Sequence, residues 1–230
     1  MVVVAIIALL IGLLLPVLGS AREAARVVRC AAQHRQVNTA SFAYLGDHDG
    51  VFYWRAQPIA DVATRGMDYY GYGGRRNGNL STDPFADGGL YFNQISRPLN
   101  PYVDETAEVF RCPGDTSPKV WAGGATHFDY VGNSYAFNCI GHPDTPLQRF
   151  DRATATATPD VDAGLAGQRI SGVVSTVETT VYFEAAAYKA AGPDDGWHRK
   201  QHNISFADGH TSAEDLGNGV ADSEWTWTLR

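Results

Sequence analysis

MVVVAIIALLIGLLLPVL, residues 1–18, runs without a charge, and with no helix breaker except Pro16 it continues into SAREAARVVRCAAQHRQVNTASFAYL, residues 20–45. Read together, these predict one long N-terminal helix over residues 1–46, membrane-spanning over 1–18 and amphipathic over 19–46. The seventeen apolar or small residues from Val2 to Leu18 reach about 25 Å at ~1.5 Å per residue, a little short of a ~30 Å hydrocarbon core. Beyond the apolar run, Val27, Cys30, His34, Val37, Ser41 and Tyr44 recur at spacings of three and four, with Ala24 and Ala31 beside them, while Arg22, Arg26, Arg29 and Arg35 take other positions. That weakly apolar stripe is suited to lie on a domain. Gly46 and the following DHDG predict the helix end.

AIIALLIGLLLPVLGSAREAARVVRC resembles the N-terminal helix of the prepilin-type proteins, the pilins and type II secretion pseudopilins. The resemblance implies a helix that packs with its neighbours in the membrane, with Ala5, Ala8 and Gly12 allowing close approach and Pro16 at the family's position. The basic leader, the glycine before the cleavage site and the Phe-Thr-Leu-Ile-Glu-Leu segment of that family do not precede Met1. The expectation is a start placed too far downstream, since six more residues bring the apolar run to ~23; the alternative is an anchored variant that does not polymerise. A signal peptide cleaved near Ala21, at the small residues of VLGSA, is the competing reading. The missing basic n-region and the length of the apolar run stand against it. The arginines that follow the span would by themselves place the domain in the cytoplasm. The resemblance places it outside, and the expected location is a single-pass inner-membrane protein with a periplasmic or extracellular domain.

Residues 47–230 make up one expected extracytoplasmic domain, large enough for its own core. Residues 1–46 carry four Arg and one Glu, net +3, so the total of -7 leaves -10 for the rest. An acidic domain without a basic stripe argues against nucleic acid as a partner. With 24 Gly, 11 Pro and 11% aromatic residues, short strands and long loops are expected. VFYWR, from Val51, reads as a short strand, and residues 67–89 as a glycine-rich excursion with turns at Asn77-Gly78 and Asp87-Gly88. Trp54, Tyr69, Tyr70 and Tyr72 are the candidates for a sugar-stacking surface, against the plainer reading of aromatics that cover the domain. Pro98 and Pro101 restrict any helix between them. Residues 151–168, small and punctuated by proline and glycine, read as a loop; Asp160 and Asp162 within it are the candidate calcium ligands.

EVFRCPGD (108–115) and NSYAFN (133–138) extend the resemblance, since many prepilin-type proteins carry a C-P-x-D turn after a strand and then an S-Y-x-x-N strand. Physically, Pro113 ends the strand and Asp115 satisfies turn amides. The cysteines are Cys30, Cys112 and Cys139. The resemblance implies a disulfide between Cys30 and Cys112, with Cys112–Cys139 open as the alternative. Without a C-x-x-C pair, no zinc site is expected.

The C-terminal part adds a strand over 179–184 and then WHRKQHNISFADGHTSAEDL. Asp208-Gly209 between two alternating runs predicts a type I′ hairpin with Phe206 opposite Thr211, and so His202 and His210 on opposite faces. His198, nine residues and Asp208-Gly209 form the H-X9-DG motif of a group of prepilin-type processing-associated proteins. As an acid–base pair, His198 and Asp208 are weighed against a structural role in which Asp208 builds the turn and His198 ties the loop to it. The structural role is the reading taken.

The whole reading is an α+β, pseudopilin-like chain: a long helix packed on a small antiparallel sheet from segments near 108–112, 130–139, 179–185, 203–207 and 210–215, with the hairpin within 198–215. The resemblance implies a membrane-anchored structural subunit or minor component of a type II secretion or type IV pilus-like assembly. Such a subunit partners with other pilin-like subunits and has no cofactor and no enzymatic turnover. A surface-anchored carbohydrate-binding domain is the alternative, and an anchored hydrolase the third reading.

Overall fold

The computed structural model describes residues 2–53, 71–75, 97–103, 107–116, 126–138, 147–151, 156–160, 165, 167–173, 175–186, 197–198 and 201–215. Helix α1, Val2–Asp47, is unbroken through Pro16 and about 70 Å long at ~1.5 Å per residue. Its apolar first part is long enough to cross a membrane, and none of it is buried against the rest of the chain. The helix ends one residue later than expected, and Gly46 is not the reversal point. Asp49 and Gly50 take the left-handed conformation instead, and the Gly50 amide donates to Leu45 O at 2.8 Å, closing the orphan carbonyls of the last turn.

Four strands form one antiparallel sheet: β1 Tyr135–Phe137, β4 Thr180–Glu184, β5 Gln201–Phe206 and β6 Thr211–Asp215, in the order β1-β4-β5-β6. The register sets Tyr135 opposite Glu184, Tyr182 opposite Ser205 and Asn203 opposite Ala213. Strands β2, Leu147–Asp151, and β3, Thr156–Asp160, pair separately, so part of the expected 151–168 loop is a two-stranded ladder. Of the expected strands, 108–112 is replaced over 108–110 by a 3₁₀ turn, while 130–139 does contain a strand, β1, preceded by a short helix, α2, His127–Val131. Asp115 explains the latter, because its carboxylate accepts from the amides of His127 and Phe128 at 2.9 and 2.7 Å. It caps a helix beginning twelve residues downstream rather than its own turn.

The hairpin forms where expected, with a different turn. Gly209 N donates to Phe206 O and Phe206 N to His210 O, both at 3.0 Å, and of Asp208 and Gly209 only the glycine has positive φ, +98°. This is a type I turn closed by a left-handed glycine, which inserts one residue relative to a type I′ turn. The register therefore slips by one: Thr211 faces Ser205 rather than Phe206. His210 consequently falls opposite Phe206 and stacks on it, centroids 4.2 Å apart.

The second half of α1 lies across β4, β5 and β6. Cys30, His34, Val37 and Ser41 are buried as the spacing predicts. The interface is more polar than a weakly apolar stripe implies, because Gln33 and Asn38 are buried with them. His34 Nδ1 meets Ser205 Oγ at 2.8 Å, Asn38 Nδ2 donates to Phe206 O at 2.8 Å, and Tyr135 OH donates to Gln33 Oε1 at 3.1 Å. Ser41 and Tyr53 hydroxyls both bond the Tyr182 hydroxyl. Every such buried polar group needs its partner, so this seam dictates where the helix sits along the sheet. Beneath it, Tyr53, Tyr72, Phe110, Phe137 and Tyr182 form an aromatic core, with Tyr72 5.0 Å from Tyr182 and Tyr53 4.4 Å from Phe137.

Candidate functional site

Four segments converge at the end of this seam nearest the apolar part of α1. Helix α1 contributes Cys30, the turn after the 3₁₀ segment Cys112, the end of β4 Glu184, and the bridge before β5 His198. All four are buried. Cys30 Sγ donates to Glu184 Oε1 at 3.0 Å, Cys112 Sγ meets His198 Nε2 at 3.2 Å, and His198 Nε2 stands 3.5 Å from Glu184 Oε1. One ligand atom from each lies within 4.8 Å of the other three.

A surrounding shell holds these groups. His198 turns its other nitrogen, Nδ1, to Glu23 Oε1 at 3.2 Å, one helical stretch before Cys30. Gly114 N donates to Cys112 Sγ at 3.3 Å. Asn203 donates to Glu184 Oε1 through its side-chain amide at 2.7 Å and its backbone at 3.2 Å. Among the described residues Glu184 Oε2 has no hydrogen-bond partner; it faces His202 Nδ1 at 3.7 Å, an ion-pair distance. The approach of the Cys112-Pro113-Gly114 turn to Trp197-His198 is close enough that a Cβ on Gly114 would lie 2.7 Å from His198 Cε1 and 3.0 Å from Trp197 O.

Burial opposes the charge on Glu184, but the rings of His202, His198 and His34 outweigh it and hold the carboxyl at about 2. Burial also disfavours imidazolium at His198, and Cys112, Glu184 and Glu23 reverse this, raising it to about 9. Burial, with Cys112 and Glu184 nearby, pushes the Cys30 thiol well above its ordinary value. Without an ion, the cluster is thus a buried imidazolium–carboxylate pair with a neutral Cys30 thiol. Beside it, a cavity of about 600 Å³ is lined by Arg22, Arg26, Arg29 and Arg111 and reaches Cys112.

The residues singled out from the sequence are distributed as follows. Cys30 and Cys112 do come together, as free thiols; Cys139 lies outside the described residues. His198 and Asp208 have separate partners: Asp208 Oδ1 accepts from the amide and ring of His210 at 3.0 and 2.6 Å. Asp208 builds the turn, while the His198 side chain ties the cysteine turn to α1 and β4 and its carbonyl accepts from Gln201 N, at the start of β5, at 3.1 Å. Tyr72 is in the core, 2% exposed, and donates to Tyr135 O, so it belongs to no sugar-stacking surface. Trp54, Tyr69, Tyr70 and Asp162 lie outside the described residues, and Asp160 is the last residue of β3. Ala5, Ala8 and Gly12 sit on the exposed apolar part of α1, with open space where a Gly12 Cβ would be.

The cluster was not expected from the sequence. Its members are 82, 72 and 14 residues apart (30 to 112, 112 to 184, 184 to 198), and no C-x-x-C pair announces them. Cys112 and His198 each belong to a recognised motif, C-P-G-D and H-X9-DG, and that two motifs with ligand-type side chains occur on one chain is the signal that was present. Comparison with protein-family models, with curated proteins and with solved structures found no match to this chain.

Proposed function

We propose that this chain is a membrane-anchored structural subunit, or minor component, of a type II secretion or type IV pilus-like assembly, working through helix packing and protein interaction rather than turnover. One observation carries the reading. A single continuous helix leaves its apolar first part wholly exposed and docks its second part on an antiparallel sheet. An exposed apolar stretch of this length needs lipid or like helices as its surroundings. Ala5, Ala8 and Gly12, at spacings of three and four, let a second helix approach closely. The separate partners of His198 and Asp208 favour a structural role for the H-X9-DG motif over an acid–base pair. In this reading the protein is a single-pass inner-membrane protein with its domain periplasmic or extracellular.

The test is cross-linking in the native cells with Ala8→Cys and Gly12→Cys, in a background where the other cysteines are retained as a control. Adducts with a second copy or with other pilin-like subunits are expected at these positions and not at Leu9→Cys. A chain that remains monomeric at all three sites removes the assembly reading. Val177, 56% exposed, supplies the orientation test: Val177→Cys in intact cells should react with a membrane-impermeant maleimide.

A further inference from the structure

We propose that Cys30, Cys112, Glu184 and His198 bind one zinc ion in a closed, four-ligand site that fastens the membrane-proximal helix to the domain. The proposal does not depend on the assembly the chain belongs to. Two thiolates, an imidazole nitrogen and a carboxylate oxygen are the donor set of tetrahedral zinc, and the paired sulfurs disfavour magnesium and calcium. With metal–ligand bonds of about 2.0–2.3 Å, a tetrahedral site has edges of roughly 3.3–3.8 Å. The donors already stand 3.0, 3.2 and 3.5 Å apart along three edges and within 4.8 Å along the rest, so sub-ångström side-chain shifts close the shell.

The surroundings fit the same conclusion. His198 aims Nε2 inward and gives Nδ1 to the Glu23 carboxylate, the arrangement that fixes the tautomer of a metal-bound histidine. The Gly114 amide donates to Cys112 Sγ, as amides do to metal-bound thiolates. Asn203 donates to Glu184 Oε1 from its side chain and its backbone, which orients the carboxylate toward the two sulfurs and the imidazole. Four protein ligands leave no open position for substrate, so the site is structural: zinc displaces the protons of the two thiols and of His198, and its binding energy becomes folding energy. A Cys30–Cys112 disulfide would use the same two sulfurs and excludes the ion.

The experiment uses the full chain extracted from its own membranes in detergent, without chelator or reductant. Elemental analysis should find one zinc per chain, and Cys30 and Cys112 should alkylate only after chelation. Refilling with cobalt should produce a thiolate-to-metal charge-transfer band that weakens in Cys30→Ser and in Cys112→Ser. Those variants risk misfolding, so Glu23→Gln provides the second arm. It keeps all four ligands, should leave circular dichroism unchanged, and should weaken zinc in competition with a chromophoric chelator by roughly 10–100-fold. A folded, reduced chain that takes up neither zinc nor cobalt overturns the proposal. So does a Cys30–Cys112 disulfide in the native protein, or zinc retained when both cysteines are replaced.

Discussion

Gly114 is where a single atom decides whether two motifs meet. Its missing Cβ lets the Cys112 turn close on Trp197-His198, and Gly114→Ala places a methyl 2.7 Å from the ring and 3.0 Å from a carbonyl. That overpacking should cost about 1–3 kcal/mol in denaturant unfolding, whereas Gly172→Ala, with open space around it, should be near neutral. Asp208 acts at the same scale through charge. Burial disfavours its ionised form, but the amide and ring of His210 together outweigh this and hold its carboxyl below the ordinary value. A depressed carboxylate contributes stability that is present above the unfolded value, about 4, and disappears as pH falls through the folded one. Asp208→Asn should therefore lower the melting temperature at pH 6, and the gap to the parent should close in a titration below about pH 4.

Among the elements, the docking of α1 on the sheet is specified by polar contacts. Asn38, 2% exposed, donates to the backbone of Phe206 at the hairpin end of β5. Asn38→Leu removes one of that carbonyl's two donors, the Gly209 amide being the other, and should cost about 0.5–1.5 kcal/mol, read by urea unfolding of the detergent-solubilised chain. Val28, on the exposed face of the same helix, serves as the control: Val28→Leu should change nothing measurable. A purely apolar stripe would tolerate sliding by a turn, whereas the His34–Ser205, Asn38–Phe206 and Ser41–Tyr182 bonds are satisfied together in one position only.

For the whole molecule, the division is between a half-helix that is long and apolar enough to cross a membrane and a domain that holds the other half. Leu10→Arg, at an exposed position in the apolar part, carries an insertion cost of about 2.5–3.5 kcal/mol. It should move the protein out of the membrane fraction on sucrose-gradient separation while leaving the near-ultraviolet spectrum of the domain intact. The extent of that apolar part, the helix through Pro16, the β4 segment and the hairpin about Asp208-Gly209 were all legible in the sequence, because each depends on neighbours a few residues away. The 3₁₀ turn at 108–110 and α2 were not: Thr126 caps α2 locally, but the carboxylate that holds its first amides, Asp115, comes from a distance. The one-residue slip of the β5–β6 register was hidden as well: Asp-Gly serves two turn types, and the choice between them is made by packing. Tyr72 looked no different from its aromatic neighbours until the core took it in. By itself the sequence determined a long helix with an apolar first part, an α+β domain and a hairpin, because periodicity and turn chemistry are local. Only the tertiary structure decided that Cys30, Cys112, Glu184 and His198 share one buried site, since four side chains scattered over 168 residues (30 to 198) meet through the docking of helix on sheet, and no local pattern encodes that meeting.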